Sequence, residues 1–422
     1  MPDDETRQFD LVVIGGGAAG FFGAVTAAET APGLRIVIVE KGPSVLAKVK
    51  ISGGGRCNVT HACFDPQELI ERYPRGGRSL IGPFYHWGPQ DTIDWFESRG
   101  VTLKAEADGR MFPTTDDSQT IIDCLTTAAE EAGVKVWTRC EVSGAAPAPD
   151  GNCWHVEIAG APPIETRALL VATGGIRSGI GARISREAGH TIEPAAPSLF
   201  TFKIPGDARI IDLAGISVPD AIVSVPGTKL RERGPVLITH WGLSGPGILK
   251  LSAWGARELQ ARDYRFEAVV DWTGLGSAKA VDAELRDLRE KNARATVSGR
   301  AGFGIPARLW QRLVEHAGIA TDRRWAQLTR AEHQGLTDSL ATSVFSVTGK
   351  STHKDEFVTC GGVRLKEIDF RTMESRLAPG LVFAGEVLDI DGITGGFNFQ
   401  AAWTTGRLAG EAIAAFAGEA KG

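Results

Sequence analysis

Cysteine is scarce in this 422-residue chain. There are six (Cys57, Cys63, Cys124, Cys140, Cys153 and Cys360), none in a C-x-x-C pair, and the eight histidines show no zinc spacing. A secreted disulfide scaffold is denser in cysteine, so that class is excluded, and no metal site is expected. An excess of one charge is also lacking: the formal net charge is −5 and the pI about 6.0, which excludes a chain that is basic throughout. No internal repeat and no low-complexity linker is present. The start, MPDDETRQFD, is acidic and unlike a signal peptide, so a cytoplasmic location is expected. Residues 11–28 carry no charge, but glycine punctuates them, and they read as strand, loop and helix rather than as a membrane span. Glycine is what abounds, at 52 residues without a collagen period, and that suggests tight turns and close backbone approach to a ligand. With 43% hydrophobic and 23% charged residues, wholesale disorder is excluded, and the length points to two or three domains.

FDLVVIGG reads as a buried parallel strand, residues 18–30 as a helix and RIVIVEK (35–41) as a second strand. Strands of the same character return at 168–174 (ALLVATG) and 381–386 (LVFAGE), the latter followed by a glycine-rich turn and a helix from near Asn398. The middle differs. SLFTFKI, AIVSV, PVLITH and YRFEAVVDW read as short antiparallel strands, and residues 275–338 as helical. The expected fold class is α/β: a Rossmann-type dinucleotide-binding domain (1–192 and 355–422), interrupted by an inserted antiparallel β domain (193–274 and 339–354) and a helical cap (275–338).

Gly15, Gly17 and Gly20 form G-x-G-x-x-G around Ala18 and Ala19. The first glycine allows the tight turn, the second lets backbone approach a pyrophosphate, and the third lets helix pack close to strand. The helix N-terminus offers N–H groups and partial positive charge to the phosphates. Glu40, with Lys41 after it, ends the next strand twenty residues past Gly20, where an acceptor for a ribose diol belongs. Thr173 and Gly174 end a strand of the kind that passes beneath a pyrophosphate. The C-terminal AGEVLDIDGITGGFNFQAAWTTG (384–406) supplies a second half-site. There Gly385 and Glu386 end a strand within reach of the ribityl or pyrophosphate region. Gly395 and Gly396 let the chain lie flat against a ring system, and the helix opening at Phe397 and Asn398 aims its positive end at a reduced flavin. A nicotinamide enzyme needs no such second half-site, so non-covalent FAD is the expected cofactor. No second strand-associated G-x-G-x-x-G is present, so NADPH or NADH would bind only transiently as electron donor.

Three segments together, SGGGRCNVTH (52–61), THWGLSGPGILKLS (239–252) and GEVLDIDGITGGFNFQAAWTTG (385–406), carry a specific resemblance. The chain resembles the BaiN/RdsA (YhiN-like) family of FAD-dependent oxidoreductases over essentially its whole length. The resemblance implies a Rossmann-type FAD domain with inserted β and helical domains, and reduction of an activated C=C bond. The implied substrates are the uracil ring in ribosomal RNA (dihydrouridine in 23S rRNA) or small conjugated enones of the bile-acid kind. Some members carry an aminoacetone-oxidase-like label, and a non-catalytic flavin-binding redox sensor or assembly factor is the contrasting class. Fold alone does not choose among them.

Read physically, Ser52, Gly53, Gly54 and Gly55 open a flavin-facing loop whose N–H groups form an anion nest. Arg56 is a partner for phosphate or substrate, and Asn58 offers a donor and an acceptor. Cys57 has two readings: a catalytic proton donor beside the flavin, or a small buried thiol packing against it. A neighbouring Arg would push it toward thiolate and complicate the acid role. Lys48 and Lys50 either reach flavin or phosphates or are surface lysines. His240, at a strand end, is the second catalytic candidate, as proton donor or carbonyl-orienting group, with a structural role as its other reading. Trp241 either stacks on a planar substrate or fills core. The substrate is expected at a domain-interface cleft. Finally, residues 286–330 hold ten Lys/Arg against four acids, a local +6. That stretch is either a solvated helical surface or a polyanion-binding face, and it tilts the substrate toward RNA. The sequence leaves the oligomeric state open.

Overall fold

The apolar, mostly β-branched run Leu11–Ile14 reads as buried, and it is: Leu11, Val12 and Val13 have no exposed surface. They belong to β1 (Gln8–Ile14), which leads through α1 (Ala18–Thr30) to β2 (Ile36–Val39). The computed structural model describes residues 7–149, 151, 153–176, 179–351 and 358–419. With β3 (Lys135–Trp137), β4 (Ala161–Val171) and β5 (Leu381–Phe383), these strands form a parallel sheet in the order β5-β4-β1-β2-β3. Short antiparallel strands extend it to nine, with Glu374–Ser375 beside β5 and the hairpin Val142–Pro147/Trp154–Ile158 on β4. The chain leaves β1 toward β2 on one side and returns later as β4 on the other. This reversal beside β1 is where open parallel sheets bind ligands, at the carboxyl ends of their strands. Glu40, Gly15 and Thr173 lie just past those ends.

The long α2 (Phe397–Glu419) packs along α1. The approach is backbone to backbone. A Cβ on Gly406 would lie 2.7 Å from the Ala19 carbonyl oxygen, and one on Gly410 would lie 2.5 Å from that of Gly23. Small residues therefore set how α2 runs beside the dinucleotide helix.

By its contacts the chain divides into two units, Met1–Ala196 with Lys354–Gly422, and Pro197–His353. The second expected boundary of the insertion, 354/355, lies outside the described residues. The second unit holds a seven-stranded antiparallel sheet, in the order Ser343–Val347, Phe266–Asp271, Ser217–Ser224, Arg231–Thr239, Gly242–Ser244, Thr201–Lys203, Gly349–Ser351. It also holds the helices Ala278–Lys291, Ala307–His316 and Arg330–Ala341, whose core includes the fully buried Trp310 and Trp325. The last helix opens on a capping box: Thr329 Oγ1 accepts from Glu332 N at 3.1 Å and Glu332 Oε2 accepts from Thr329 N at 2.9 Å. Among the described residues no helix is long and apolar enough to cross a membrane.

One buried cluster makes the first unit pH-sensitive. His190 Nε2 meets Ser375 Oγ at 2.7 Å and its Nδ1 meets Glu367 Oε2 at 3.0 Å. Ser375 Oγ also accepts from Leu377 N and Ala378 N, so its lone pairs are engaged. Burial pushes the His190 imidazole below its ordinary range, against the opposing pull of Glu367. A folded-state value below the unfolded one means the unfolded chain binds the proton first. Stability is therefore lost as pH falls below about 6.5. In thermal melts, His190→Gln should flatten the pH dependence in that window; an unchanged slope would assign it elsewhere.

Candidate active site

The cradle begins at the turn between β1 and α1. Gly15 has φ +111°, and a Cβ there would lie 2.5 Å from the Ala172 carbonyl oxygen on the neighbouring strand. A Cβ on Gly20 would lie 2.2 Å from the Gly15 carbonyl oxygen, which is why helix and strand approach so closely. Gly17 is different: nothing lies within 4 Å of its Cβ position. It needs no glycine for the protein's own packing, yet it faces open space at the N-terminus of α1. No acidic residue sits in the first turn of α1 and no side chain caps it, so its free N–H groups and partial charge remain for an anion. A dinucleotide pyrophosphate fits that cradle.

The carboxylate that follows β2 closes the cradle. Glu40 Oε2 accepts from Gly16 N at 2.9 Å and Oε1 from Gly42 N at 2.7 Å. These bonds aim the carboxylate and leave lone pairs for a ribose diol. Lys41 is exposed, and among the described residues its side chain makes no hydrogen bond or ion pair. On the other side, Glu386 Oε1 accepts from Thr359 N at 2.7 Å and Oε2 pairs with Lys48 Nζ at 2.6 Å. A Cβ on Gly174 would lie 4.0 Å from both of those charged atoms, so Lys48, Gly174 and Glu386 form one polar cluster. Gly385 N donates to Thr405 Oγ1 at 2.9 Å, tying the end of β5 to α2.

The SGGGRCN segment corrects several expectations. The helix Ala47–Gly55 kinks at Ser52, Gly53 and Gly54, and Gly53, Gly54, Gly55 and Cys57 all have positive φ. Arg56 is not held ready for a phosphate: it pairs with Glu106 at 2.7 Å and Asp116 at 3.5 Å and lies 4.0 Å over the Phe112 ring. Nor does Arg56 activate Cys57. That thiol is fully buried, and burial pushes it up to about 12, with Ser52 pulling the other way. Cys57 is thus a protonated packing group with no exposed surface. The Asn58 amide accepts from Gly396 N at 2.9 Å and donates to Thr60 O at 3.0 Å, so it ties its own loop to the glycine pair. Asn398 likewise clasps Gly392 through both N–H and C=O. Gly395 and Gly396 are required by the protein's own packing, since Cβ atoms would strike the Phe397 ring (2.8 Å) and the Thr60 carbonyl oxygen (2.4 Å). Phe397 stacks on His61, centroids 4.6 Å apart, and its carbonyl accepts from the buried Tyr73 hydroxyl at 2.6 Å.

Sequence reasoning missed the strap that holds this turn. Arg75 and Asp391 form a bidentate ion pair, with Asp391 fully buried. Ile393 N donates to Arg72 O at 2.9 Å beside it. The partners are 316 residues apart, and no local signal joins them.

In the second unit, His240 and Trp241 form the tip between strands paired through Thr239 and Gly242. Both are exposed, Trp241 at 51%, so Trp241 is not core. Pro246 opens the helix Pro246–Trp254, and Ser244 Oγ accepts from Thr201 Oγ1. The basic segment is less one-sided than its window suggests. Arg286 pairs with Asp282 and Arg323 with Glu332, both acids just outside 286–330. Across 278–341, eleven Lys/Arg face eight acids, a net +3. Arg294, Arg300, Arg312, Arg324 and Arg330 make no ion pair among the described residues.

Fold and cradle together define an FAD-dependent oxidoreductase of the Rossmann type. The family model described as "HI0933-like protein Rossmann domain" matches residues 9–412, and the chain belongs to that family. A ribosomal RNA dihydrouridine synthase of Escherichia coli (strain K12) is 31% identical over 410 residues, 94% of this chain and 96% of that protein. A 3-dehydro-bile acid delta(4,6)-reductase of Clostridium scindens is 28% identical over 95% of this chain and 98% of that protein. Among solved structures, a 3-ketosteroid-delta4-(5alpha)-dehydrogenase from Rhodococcus jostii RHA1 has a TM-score of 0.51 at 15% identity, covering 98% of each chain. A flavocytochrome c3 fumarate reductase also reaches 0.51 at 18% identity, covering 97% of this chain and 78% of that one. At such identities these two likenesses speak to the fold.

Proposed function

We propose that this protein reduces an activated C=C bond, with NAD(P)H as electron source, and that the bond is the uridine C5–C6 bond of ribosomal RNA. The carrying observation is the near full-length match at 31% identity to a protein named ribosomal RNA dihydrouridine synthase. The unpaired arginines of the helical segment support a polyanionic substrate.

When bound, FAD supplies the hydride chemistry, from NAD(P)H to the electron-poor carbon. The residues of the chain do the rest. The α1 N-terminus and the Gly17 backbone hold the pyrophosphate, Glu40 holds the ribose, and Lys48 with Glu386 sets the charge beside Gly174. Hydride addition to one carbon of the double bond leaves a proton to be added at the next. Of the two candidate donors, Cys57 has no exposed surface, whereas His240 is exposed in the second unit, so His240 is the donor we put to the test. His240→Gln should slow turnover by about 10²–10⁴-fold, the usual contribution of a positioned acid, while flavin content stays normal. Unchanged turnover would remove His240 from the reaction.

The deciding experiment deletes the gene and quantifies dihydrouridine in 23S rRNA by nucleoside mass spectrometry. Loss of the modification, and its return with the intact gene, supports the reading; unchanged dihydrouridine rejects it. A second reading, reduction of a small conjugated enone, is favoured by the Clostridium scindens relative. It predicts that an enone reoxidises the anaerobically reduced protein in a single turnover.

A further inference from the structure

The tip His240–Trp241 presents a large aromatic ring on a rigid mount. Trp272, Trp310 and Trp325 of the same unit are fully buried, whereas Trp241 and Trp254 are exposed, and of these Trp241 sits at a strand tip and Trp254 at a helix end. Its backbone is pinned. Trp241 O accepts from Ile204 N at 2.8 Å, Trp241 N donates to Thr239 Oγ1 at 3.3 Å, and Thr239 Oγ1 donates to Gly242 O at 3.2 Å. The next residue, Gly242, lies so close to the strand Thr201–Lys203 that a Cβ would fall 2.3 Å from the Phe202 carbonyl oxygen. These contacts fix the backbone from which the indole projects.

Hydrogen bonds within the unit connect this tip to a basic ridge. Ile238, two residues before His240, accepts from Gly215 N at 2.9 Å and donates to Ile216 O at 2.8 Å. The same loop carries the exposed Ile211 and the Asp212 carbonyl, which accepts from Arg308 Nη2 at 3.0 Å. Arg308 and Arg312 are spaced at i and i+4 along one face of the helix Ala307–His316, and Arg308 meets this loop. An exposed aromatic ring, an exposed aliphatic side chain and a pair of arginines are thus joined through this loop. Single-stranded nucleic acid is held by that combination: bases stack on exposed rings while arginines track the phosphates.

We infer that Trp241 is a base-stacking platform for single-stranded RNA, with Arg308 and Arg312 receiving the adjoining phosphates. The inference rests on the RNA reading above and adds the surface on which that substrate is gripped.

The test uses the full-length FAD-loaded protein and a fluorescein-labelled single-stranded oligouridylate, with binding followed by anisotropy across a salt series. Trp241→Ala should weaken binding by about 5- to 100-fold, the effect of losing one base–aromatic stack, and Trp241→Phe should restore most of it. Arg312→Ala should lower the slope of log affinity against log salt by about one. Melting midpoint and flavin absorbance check that each variant is folded. If the parent protein binds with a steep salt slope and Trp241→Ala matches it, the stacking platform is wrong and the RNA reading survives. If the parent protein does not bind the oligonucleotide, both fall.

Discussion

Arg75→Ala should destabilise the first unit by about 3–5 kcal/mol, the usual cost of stranding one member of a buried ion pair. Asp391 has no exposed surface, and Arg75 grips both of its carboxylate oxygens. The pair does not stand alone. Asp391 N donates to Arg75 O at 3.4 Å, Ile393 N to Arg72 O at 2.9 Å, and a Cβ on Gly76 would lie 2.5 Å from Ile390. Residues 72–76 are thus laced onto the turn that leads to Gly395, Gly396 and the start of α2. Removing the guanidinium leaves a buried carboxylate and loosens the same turn. For a unit of this size the melting midpoint should drop by roughly 10 °C. Excess FAD should recover part of the loss, since a ligand that binds only the folded state stabilises it by mass action. A melt indistinguishable from the parent would mean that the pair contributes nothing net. The double change Arg75→Met/Asp391→Leu should cost less than Arg75→Ala, because it leaves no stranded charge.

What was legible in the sequence is what is local. The turn–helix–strand unit around Gly15, Gly17 and Gly20 is encoded within about 30 residues, as such units are. Each glycine has a mechanical reason that a Cβ test then makes explicit. The apolar runs at 168–174 and 381–386 were legible as strands too, but their order in the sheet was not. Side-chain partners were not legible, because they come from afar. Arg56 looks like an anion receptor beside three glycines, but Glu106 and Asp116 lie 50 and 60 residues on and claim it. Once Arg56 is engaged, only Ser52 opposes the desolvation of Cys57, and the expected drift toward thiolate reverses. Asn58 and Asn398 read as ligand amides, yet a glycine-rich turn leaves unpaired backbone groups, and these amides satisfy them. The basic window misled for a simpler reason. Its edges cut helices in mid-pair, separating Arg286 from Asp282 and Arg323 from Glu332.

Gly20→Ala and Gly17→Ala should fail in opposite ways. At Gly20 the added methyl would sit 2.2 Å from the Gly15 carbonyl oxygen. Both sides of that clash are backbone, so no side chain can swing aside. Either α1 must back away from β1 or the turn must open. Over-packing usually costs about 1–3 kcal/mol, and a clash between two backbone segments belongs at the top of that range or above it. Gly20→Ala should therefore accumulate poorly, melt early and lack flavin. At Gly17 the added methyl meets nothing within 4 Å, and the backbone (φ −94°, ψ −174°) suits alanine. That variant should fold and melt as the parent does when both are stripped of FAD. It should nevertheless hold FAD at least about tenfold more weakly, a change of about 1.4 kcal/mol, because the methyl stands where the pyrophosphate must approach the backbone. Titrating FAD into the stripped proteins separates the two effects. Full affinity in Gly17→Ala would move the pyrophosphate away from the α1 N-terminus. A normal melt for Gly20→Ala would mean that strand and helix have room to spare. The same motif thus contains one glycine that the fold requires and one whose Cβ position is open, and the second is where the proposed pyrophosphate site is tested.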